Sequence, residues 1–431
     1  MILNRRFPLG LIYLFSPVLL ANGLQINEQS VGAAGKAYAG RASEVLDAST
    51  IYGNPAGMAK LPGNQIVGGA NFIDARSDVS DVSSTVAGSS KGNMVPRPVV
   101  VPFGFFTSQL NERWHLGIGV YAPFGGRTDY EGAFQGRYRS SKTSVEVITL
   151  QPTLSYRINE QLSIGAGPTF NRIEGLLENR LNNQAVGGRG DGNVKVSGDD
   201  TAVGFNAGVL YEPSKNLSLG LVYHSRVQYS LEGATKVTGA TGALGAIPAL
   251  GLTGLNGRYD STMDLTTPET VDMSITYRLN ERLDVSAGAL FSRWSTMQLL
   301  DVRNSGVPSA YASFSSISEP LNWRDTWSFS TGVAYKLTSR WTLRAGAAYE
   351  PTPVPAQYSS TRAPLGDRTI FTFGLGWRVN SAWGMGLAYG HIYERKVKVS
   401  QLTSQAGLRP GYSATYQNQA NGLGLQVTYQ F

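Results

Sequence analysis

The last nine residues, Leu423 to Phe431, alternate apolar and polar side chains without interruption and end on an aromatic residue. Because successive side chains of a β-strand point to opposite faces, one face carries leucine, valine and aromatic side chains while the other carries glycine, glutamine and threonine. An edge strand of a soluble sandwich is one reading. The final strand of an outer-membrane barrel is the better one, since such strands face lipid on one side and water on the other. The pattern therefore predicts an all-β fold, a transmembrane antiparallel β-barrel in a bacterial outer membrane.

The amino-terminal end predicts a secretory signal. A short basic region, Asn4 to Arg6, is followed by a mostly apolar stretch over residues 7–20 and by small residues at Ala21 and Gly23. A membrane-spanning helix needs about 20 apolar residues, and this stretch is too short. We expect residues 1–23 to be a signal peptide and the remaining chain to lack a transmembrane helix.

Composition agrees with a barrel and excludes several other classes. The 431 residues include 10% aromatic and 16% charged side chains, which is too polar for a helical membrane protein but normal for strands with a polar inner face. The absence of cysteine excludes a disulfide scaffold and any thiolate metal site or nucleophile. The net charge of +7 is spread singly, with no basic run longer than Arg395 to Lys398. This distribution favours contact with outer-membrane lipid and lipopolysaccharide over nucleic acid.

One short turn recurs along the chain. Tyr156-Arg157-Ile158-Asn159-Glu160 resembles Tyr277-Arg278-Leu279-Asn280-Glu281, and alternating strands flank each copy, as a hairpin requires. Tyrosine and tryptophan cluster at these turns, which predicts an aromatic ring at the periplasmic membrane interface. Six such hairpins, one strand near residues 65–75 and the final strand predict about 14 strands. The six turns lie near residues 110–113, 157–161, 212–216, 279–282, 337–340 and 379–382.

The longer connections are predicted at the extracellular end, over residues 125–142, 178–200, 237–259 and 302–322. The third is unusual because residues 243–252 carry no charge. A small helix packed on neighbouring loops would account for this, and so would an external surface that captures an apolar ligand; the two are compatible. The candidate capture residues are Leu244, Ile247, Pro248, Leu250 and Leu252.

Residues 24–63 do not alternate like the strands and are rich in small side chains. A periplasmic tail is one interpretation. We prefer a plug folded into the lumen, because a fourteen-stranded cylinder is wide enough to leak when empty. The predicted organisation is a signal peptide (1–23), an amino-terminal plug or hatch (24–63) and a transmembrane barrel (64–431).

The chain resembles the FadL/TodX family of outer-membrane transporters for long-chain fatty acids and other hydrophobic compounds. The resemblance covers nearly the whole mature chain and rests on four motifs in order. These are Gly23-Leu24-Gln25-Ile26-Asn27-Glu28, Asn54-Pro55-Ala56, Tyr121-Ala122-Pro123-Phe124-Gly125 and Pro353-Val354-Pro355-Ala356-Gln357.

The resemblance implies passive uptake without a cofactor or a catalytic step. A hydrophobic ligand would be captured by extracellular loops, enter a luminal pocket and leave sideways at a kink in the third strand, here Ala122, Pro123, Phe124 and Gly125. The kink has independent support, because Pro123 lacks an N–H for the ladder and Gly125 lacks a side chain to pack. The hatch motif Asn54, Pro55 and Ala56 would lie near this kink and shift when ligand binds.

The resemblance also implies that basic residues bind the fatty acid carboxylate. The chain matches those stretches only loosely, and the candidates are Arg180 and Arg303. For each of them an ordinary salt bridge at a loop edge is the favoured alternative. Without headgroup partners, the cargo would be an uncharged aromatic hydrocarbon, as in another branch of the family.

Two other classes remain as alternatives. A general porin or surface receptor would need no dedicated ligand. A barrel phospholipase would need a serine and histidine pair oriented by a third group, and the chain has only His115, His224 and His391. We expect no enzyme activity and no metal site. We also expect a monomer whose terminal Phe431 is recognised by the barrel assembly machinery.

Overall fold

The computed structural model describes residues 23–91, 99–246 and 253–431. Nearly all of the predicted signal peptide, and the predicted capture residues Ile247, Pro248, Leu250 and Leu252, lie outside the described residues. The helices are α1 (Val31–Ala34) and α2 (Thr50–Gly53), with 3₁₀ turns at Pro55–Lys60, Asn183–Val186, Gly242–Leu244, Trp294–Thr296, Ser309–Ser315, Ala356–Tyr358 and Gln405–Gly407. The strand segments are β1 (Asn64–Ser84), β2 (Val99–Gln109), β3 (Trp114–Asp129), β4 (Lys142–Arg157), β5 (Leu162–Asn182), β6 (Asp191–Ser214), β7 (Leu217–His224), β8 (Val227–Thr238), β9 (Gly257–Thr267), β10 (Thr270–Arg278), β11 (Leu283–Ser292), β12 (Leu299–Asn304), β13 (Ser316–Pro320), β14 (Thr326–Lys336), β15 (Trp341–Glu350), β16 (Arg368–Arg378), β17 (Trp383–Glu394), β18 (Val397–Gln401) and β19 (Tyr412–Gln430).

These segments form one closed antiparallel sheet. Strand β1 pairs with β2 on one side and with β19 on the other, where Gln65 lies opposite Gln430. Five consecutive pairs of segments (β7 with β8, β9 with β10, β11 with β12, β13 with β14, β17 with β18) each continue a single wall strand. In the described part of the chain the wall therefore has fourteen strands, which confirms the predicted barrel.

Alternation along each strand separates the two faces of the wall. On β16, Phe371 and Phe373 are 52% and 64% exposed, whereas the alternating residues Ile370 and Thr372 are buried. Large apolar side chains exposed in this number would be unstable against water, so the outer face is built to contact lipid. No helix in the described part of the chain is long and apolar enough to cross a membrane.

The six short turns lie where the sequence predicted them, and their recurrent asparagine has a structural role. The Asn159 side-chain oxygen accepts hydrogen bonds from the backbone N–H groups of Gln161 (2.9 Å) and Leu162 (2.8 Å), as in an Asx turn. Asn280 repeats this geometry in its own turn. The predicted aromatic ring is also present at this end, in cross-strand pairs such as Trp114 with Tyr156.

The strands at the opposite end are longer than expected. The connection predicted over residues 178–200 shrinks to residues 183–190, because β5 and β6 remain paired from Leu162 opposite Tyr211 up to Asn182 opposite Asp191. The outward positions of these residues lack apolar side chains, since this part of the hairpin extends beyond the lipid. Ladder hydrogen bonds do not need apolar side chains.

Residues 24–61 lie inside the barrel, as the plug prediction requires. The Ala37 backbone N–H donates to Thr372 Oγ1 (2.8 Å), and the Arg41 guanidinium binds Asp272 on β10 (2.5 and 2.7 Å). Wall glycines allow close approach: a Cβ on Gly220 would lie 1.9 Å from the Ala42 carbonyl oxygen. The plug backbone therefore packs directly against the wall.

Candidate functional site

The ladder between β2 and β3 is incomplete, and this unpaired stretch of the wall is called the opening below. Their ladder runs from Gln109 opposite His115 to Gly104 opposite Val120 and stops there, although β3 continues to pair with β4 as far as Asp129. Within the described residues, the rest of β2 pairs with β1 alone. The two strands therefore separate on the extracellular side of Val120.

The opening coincides with the predicted kink. Tyr121 lies opposite Thr149 and Phe124 opposite Val147, so β3 has one more residue than β4 over this stretch. Such a bulge bends its strand. Pro123, within the bulge, has no N–H to restore the ladder.

The first segment of the plug covers the bulge from inside. The Ile26 N–H donates to the Pro123 carbonyl and the Gly125 N–H donates to the Leu24 carbonyl, both at 2.8 Å. The buried Gln29 side chain donates to the Ala122 carbonyl at 2.6 Å. Backbone groups that lack a β2 partner are thus bonded to the plug, and the opening is held shut by a segment that is not part of the wall.

The hatch motif packs elsewhere on the wall. The Asn54 amide donates to the carbonyls of Ala42 (2.6 Å) and Val209 (3.0 Å), and its oxygen caps the following 3₁₀ turn. A Cβ on Gly208 would lie 2.2 Å from Asn54 Oδ1, and one on Gly165 would lie 2.4 Å from the Pro55 carbonyl carbon. The motif therefore contacts β5 and β6, whereas residues 24–29 contact the kink.

Behind the opening lies a buried apolar cluster that sequence reasoning missed. The Trp294 ring lies 6.3 Å from Phe124 and 5.2 Å from Trp323, both edge-to-face. Trp294 occupies the interruption between β11 and β12, and this loss of alternation was the available signal. The motif at Pro353 contributes as well, by placing Val354 here. The buried members of the cluster are Leu24, Trp294, Met297, Leu321, Trp323, Val354 and Leu365.

A polar network anchors the plug beside this cluster. Arg41 donates to Asn27 Oδ1 (2.9 Å) as well as to Asp272, and Asn27 donates to Glu350 (3.1 Å). Breaking a buried ion pair from one side leaves an uncompensated charge and is costly. These contacts tie Asn27 and Arg41 of the plug to Asp272 and Glu350 of the wall, so release of residues 24–29 would also break the bonds of Asn27.

A cavity of about 390 Å³ lies among the extracellular loops. Its volume is within the range of small-molecule sites, which are mostly apolar with a few polar groups. Leu244 of the predicted capture surface lines it, as does the candidate Arg180. Its apolar lining is Leu181, Val194, Leu244, Leu255, Tyr311, Phe314, Ile317 and Leu408.

This cavity also contains Arg409, which the sequence had not suggested. Within the described part of the chain, the guanidinium groups of Arg180 and Arg409 have no hydrogen bond or ion pair. Burial lowers the pKa of Arg409; the Glu319 carboxylate opposes this shift and the positive charge of Arg362 adds to it. Arg362 itself binds Glu319 at 3.1 Å. The cavity therefore has two unpaired positive charges at an apolar pocket.

Arg303 lies apart from this site. Its side chain is 73% exposed on the outer side of β12 and pairs with Asp301 at 3.1 Å. The structure thus does not bring the two predicted carboxylate-binding residues together: Arg180 lines the cavity and Arg303 is on the outer face.

The closed wall, the lipid-facing outer surface and the filled lumen define a plugged outer-membrane transport barrel. A family profile described as outer membrane protein transport protein (OMPP1/FadL/TodX) matches residues 12–431, and the chain belongs to this family. The family predicted from the four motifs is therefore confirmed, and the protein is located in the outer membrane.

Relatives and solved structures agree with this assignment. The long-chain fatty acid transport protein of Escherichia coli O6:H1 is 24% identical over 97% of both chains. Outer membrane protein P1 of Haemophilus influenzae is 26% identical over 95% of both. The crystal structure of a Pseudomonas aeruginosa FadL homologue superposes with a TM-score of 0.84 at 25% identity, over 95% of this chain and 100% of that one. The Ralstonia pickettii toluene transporter TbuX shares the fold (TM-score 0.69, 18% identity, 94% and 99% coverage).

Proposed function

We propose that this protein takes up long-chain fatty acids or similar amphiphiles by passive diffusion across the outer membrane. The ligand is captured in the extracellular cavity, passes to the luminal cluster around Trp294 and leaves sideways between β2 and β3. The observation that carries the proposal is the opening in the β2–β3 ladder, covered by residues 24–29 of the plug and backed by an apolar cluster.

Capture follows from the lining of the extracellular cavity. An alkyl chain buried against its apolar side chains gains about 0.8 kcal/mol per methylene. The two unpaired guanidinium groups, Arg180 and Arg409, suit a carboxylate, since hydrogen bonds between charged groups are stronger than neutral ones. The cavity thus matches both ends of an amphiphile.

Displacement of the plug segment is energetically accessible. Three hydrogen bonds hold residues 24–29 against the bulge, and three more join Gln25 to Ser292, Asn27 to Glu350 and Glu28 to Asn71. Each contributes about 0.5–1.5 kcal/mol net. An alkyl chain that buries about ten methylenes against Trp294, Trp323 and Val354 offsets a loss of that order. Ligand binding in the cluster can therefore release the segment and uncover the opening.

Lateral exit keeps the alkyl chain away from the aqueous periplasm. A ligand that leaves between β2 and β3 enters lipid directly, and no bond is made or broken on the route. We therefore assign a transport function to the protein and no catalytic residue.

The test is to seal the opening. Deleting Ala122 together with Pro123→Val removes the extra residue and restores a ladder N–H, and we expect uptake of a fluorescent long-chain fatty acid by cells to fall at least tenfold. Pro168→Val, at an exposed proline on β5, is the matched control and should not change uptake. Unchanged uptake by a correctly folded sealed barrel would argue against lateral exit.

A second candidate cargo is an aromatic hydrocarbon, because the luminal cluster contains Phe124, Trp294 and Trp323 in edge-to-face contact. Displacement of a bound fluorescent fatty acid separates the two candidates. Displacement by oleate with toluene inert supports the fatty acid, whereas displacement by toluene alone supports the hydrocarbon.

We also propose that the barrel is assembled through recognition of Phe431. Phe431 closes the seam of the barrel by exchanging 3.0 Å backbone hydrogen bonds with Asn64 on β1. Recognition of Phe431 by the barrel assembly machinery would place the two seam strands together, and the closed sheet is complete in one chain. We therefore propose a monomer, which the mass of the purified barrel in detergent tests.

A further inference from the structure

The outer face of the wall carries an ordered set of charges on the extracellular side of its apolar belt. On β6 the outward apolar residues run from Tyr211 to Val203, a rise of eight residues that spans about 26 Å along the strand and, at a tilt of about 40°, about 20 Å along the membrane normal. The apolar band of outer-membrane barrels is about 25 Å tall, so the belt ends about 5 Å beyond Val203. Asp199 and the outward residues of β6 that precede it in the chain therefore stand outside the hydrocarbon.

The first charged row above the belt is acidic. Glu146, Glu174, Asp199 and Glu232 lie directly opposite one another on β4, β5, β6 and β8. The Arg172 guanidinium lies 3.1 Å from Glu174 and 3.2 Å from Asp199, so it bridges the middle of the row.

A basic row lies four residues further from the membrane. Lys195 is directly opposite Lys236, which is directly opposite Arg258; Glu178 and then Lys142 continue the row on the other side. Lys142 pairs with Asp129. Within the described residues, the exposed side chains of Lys195, Lys236 and Arg258 have no ion pair. Like charges directly opposite each other destabilise a sheet, so this arrangement fits an anionic partner.

A groove of about 540 Å³ runs between the two rows. Its lining includes Lys142 and Arg258 of the basic row, Glu146, Glu174 and Asp199 of the acidic row, and Arg127. Lys236 and Lys195 follow Arg258 along the basic row and stand beside the groove. Small residues form the floor, and one of them must stay small: a Cβ on Gly233 would lie 1.9 Å from the Ser197 carbonyl oxygen. The groove therefore offers cations on one side and hydrogen-bond acceptors on the other.

The height of the basic row restricts the partner. Lys195 is eight residues from Val203, which at a tilt of about 40° places it about 20 Å above Val203 and about 15 Å above the edge of the belt. Phospholipid headgroups occupy only about 5–8 Å on each side of the hydrocarbon. The groove also faces sideways, in the plane of the membrane, where its neighbours are lipids.

We propose that this groove binds the phosphorylated saccharide headgroup of lipopolysaccharide. Phosphate oxygens accept hydrogen bonds from Lys195, Lys236 and Arg258, and sugar hydroxyls donate to the acidic row. The bound glycolipid stands beside the extended β5–β6 hairpin and holds it upright beside the capture cavity.

The proposal is tested by the affinity of the purified barrel for lipopolysaccharide, measured by native mass spectrometry. The triple variant Lys195→Gln, Lys236→Gln, Arg258→Gln should bind at least tenfold more weakly. The control variant Arg395→Gln, Lys396→Gln, Lys398→Gln removes the same charge from another part of the extracellular surface and should bind within twofold of the unsubstituted barrel. Ser197→Trp, which fills the groove without changing charge, should also weaken binding.

Two further ligands test whether the groove recognises the phosphorylated saccharide itself or any anionic lipid. Enzymatically dephosphorylated lipopolysaccharide and phosphatidylglycerol should both bind weakly. Equal losses in the test and control variants would reduce the effect to net charge and overturn the proposal, as would phosphatidylglycerol binding as tightly as lipopolysaccharide. The thermal midpoint of the triple variant without lipid should change little, because loss of the Lys195–Glu178 pair is offset by loss of the like-charge pairs of Lys236 with Lys195 and Arg258. An unchanged midpoint would show that the variant is folded.

Discussion

Two regions of the wall contain proline and lack ladder pairing, and they behave differently. On β3, Pro123 lies in a bulge with an extra residue, and the neighbouring strand β2 has separated. On β4 and β5, Pro152 lies opposite Pro168, and pairing stops between Leu150 opposite Phe170 and Leu154 opposite Ala166. The register is the same on both sides of this second interruption, so the strands stay together.

What lies behind each interruption also differs. At β4 the buried Gln151 side chain accepts from two wall residues, Asn206 (2.7 Å) and Tyr121, and donates to the plug only through a longer bond to the Ile51 carbonyl (3.2 Å). At β3 the freed carbonyls of Ala122 and Pro123 are bonded to the plug. Proline alone therefore does not open a wall. An opening needs an inserted residue, the loss of the neighbouring strand and a cover that can move.

The largest effect should come from removing the cover altogether. Deleting residues 24–60 leaves the lumen empty and the bulge unsealed, and we expect a silent barrel to become one that conducts ions steadily in a planar bilayer. The full-length barrel is the control. A silent deletion variant that is still folded would show that the wall closes the lumen without the plug.

The next largest effect is expected from substitutions in the extracellular cavity that captures the ligand, which lies away from both interruptions. Arg180→Gln with Arg409→Gln should weaken oleate binding about tenfold, because charged hydrogen bonds contribute about 1.5–3 kcal/mol each and these sites are partly exposed. Fluorescent displacement measures this, with Arg303→Gln as the matched control that should bind normally. An equal loss in the control would move the headgroup site to the outer face of β12.

A smaller effect should separate the two interruptions directly. Gln29→Ala removes one hydrogen bond from the cover of the bulge, and we expect fatty acid uptake to rise about threefold as the plug segment loosens. Gln151→Ala should lower the thermal midpoint instead and leave the uptake rate per folded barrel unchanged. If both variants changed uptake equally, the two interruptions would be one coupled gate.

The smallest effect should come from repairing the second interruption. Pro168→Val supplies an N–H to a ladder whose register is already correct, which should stabilise the barrel by about 1 kcal/mol or less. Thermal unfolding measures this. A change in uptake of more than twofold would mean that this part of the wall also opens.

The features that the sequence predicted are local. Asparagine at a turn position and strict alternation act over two to eight residues, so the six hairpins around Asn159, Asn280 and their equivalents could be read directly. The kink was also readable, because proline and glycine act at their own positions. The four motifs then indicated the family and the plug.

The features that it did not predict depend on residues far apart in the chain. Asn54 meets Gly208, Leu24 meets Trp294, and Arg180 shares a cavity with Arg409. None of these pairs follows from spacing, because each depends on how the plug is oriented in the lumen or on which loops fold together.

Strand register shows where prediction from local sequence ends and dependence on the tertiary structure begins. Each strand's alternation shows which residues face outward, but a charged row such as Lys195, Lys236 and Arg258 forms only when three strands are paired at one particular offset. The chain's local patterns therefore determine that it is a barrel, how many strands it has and where they turn. Closure of the sheet and seating of the plug determine which side chains meet, since those contacts arise only when distant segments are brought together.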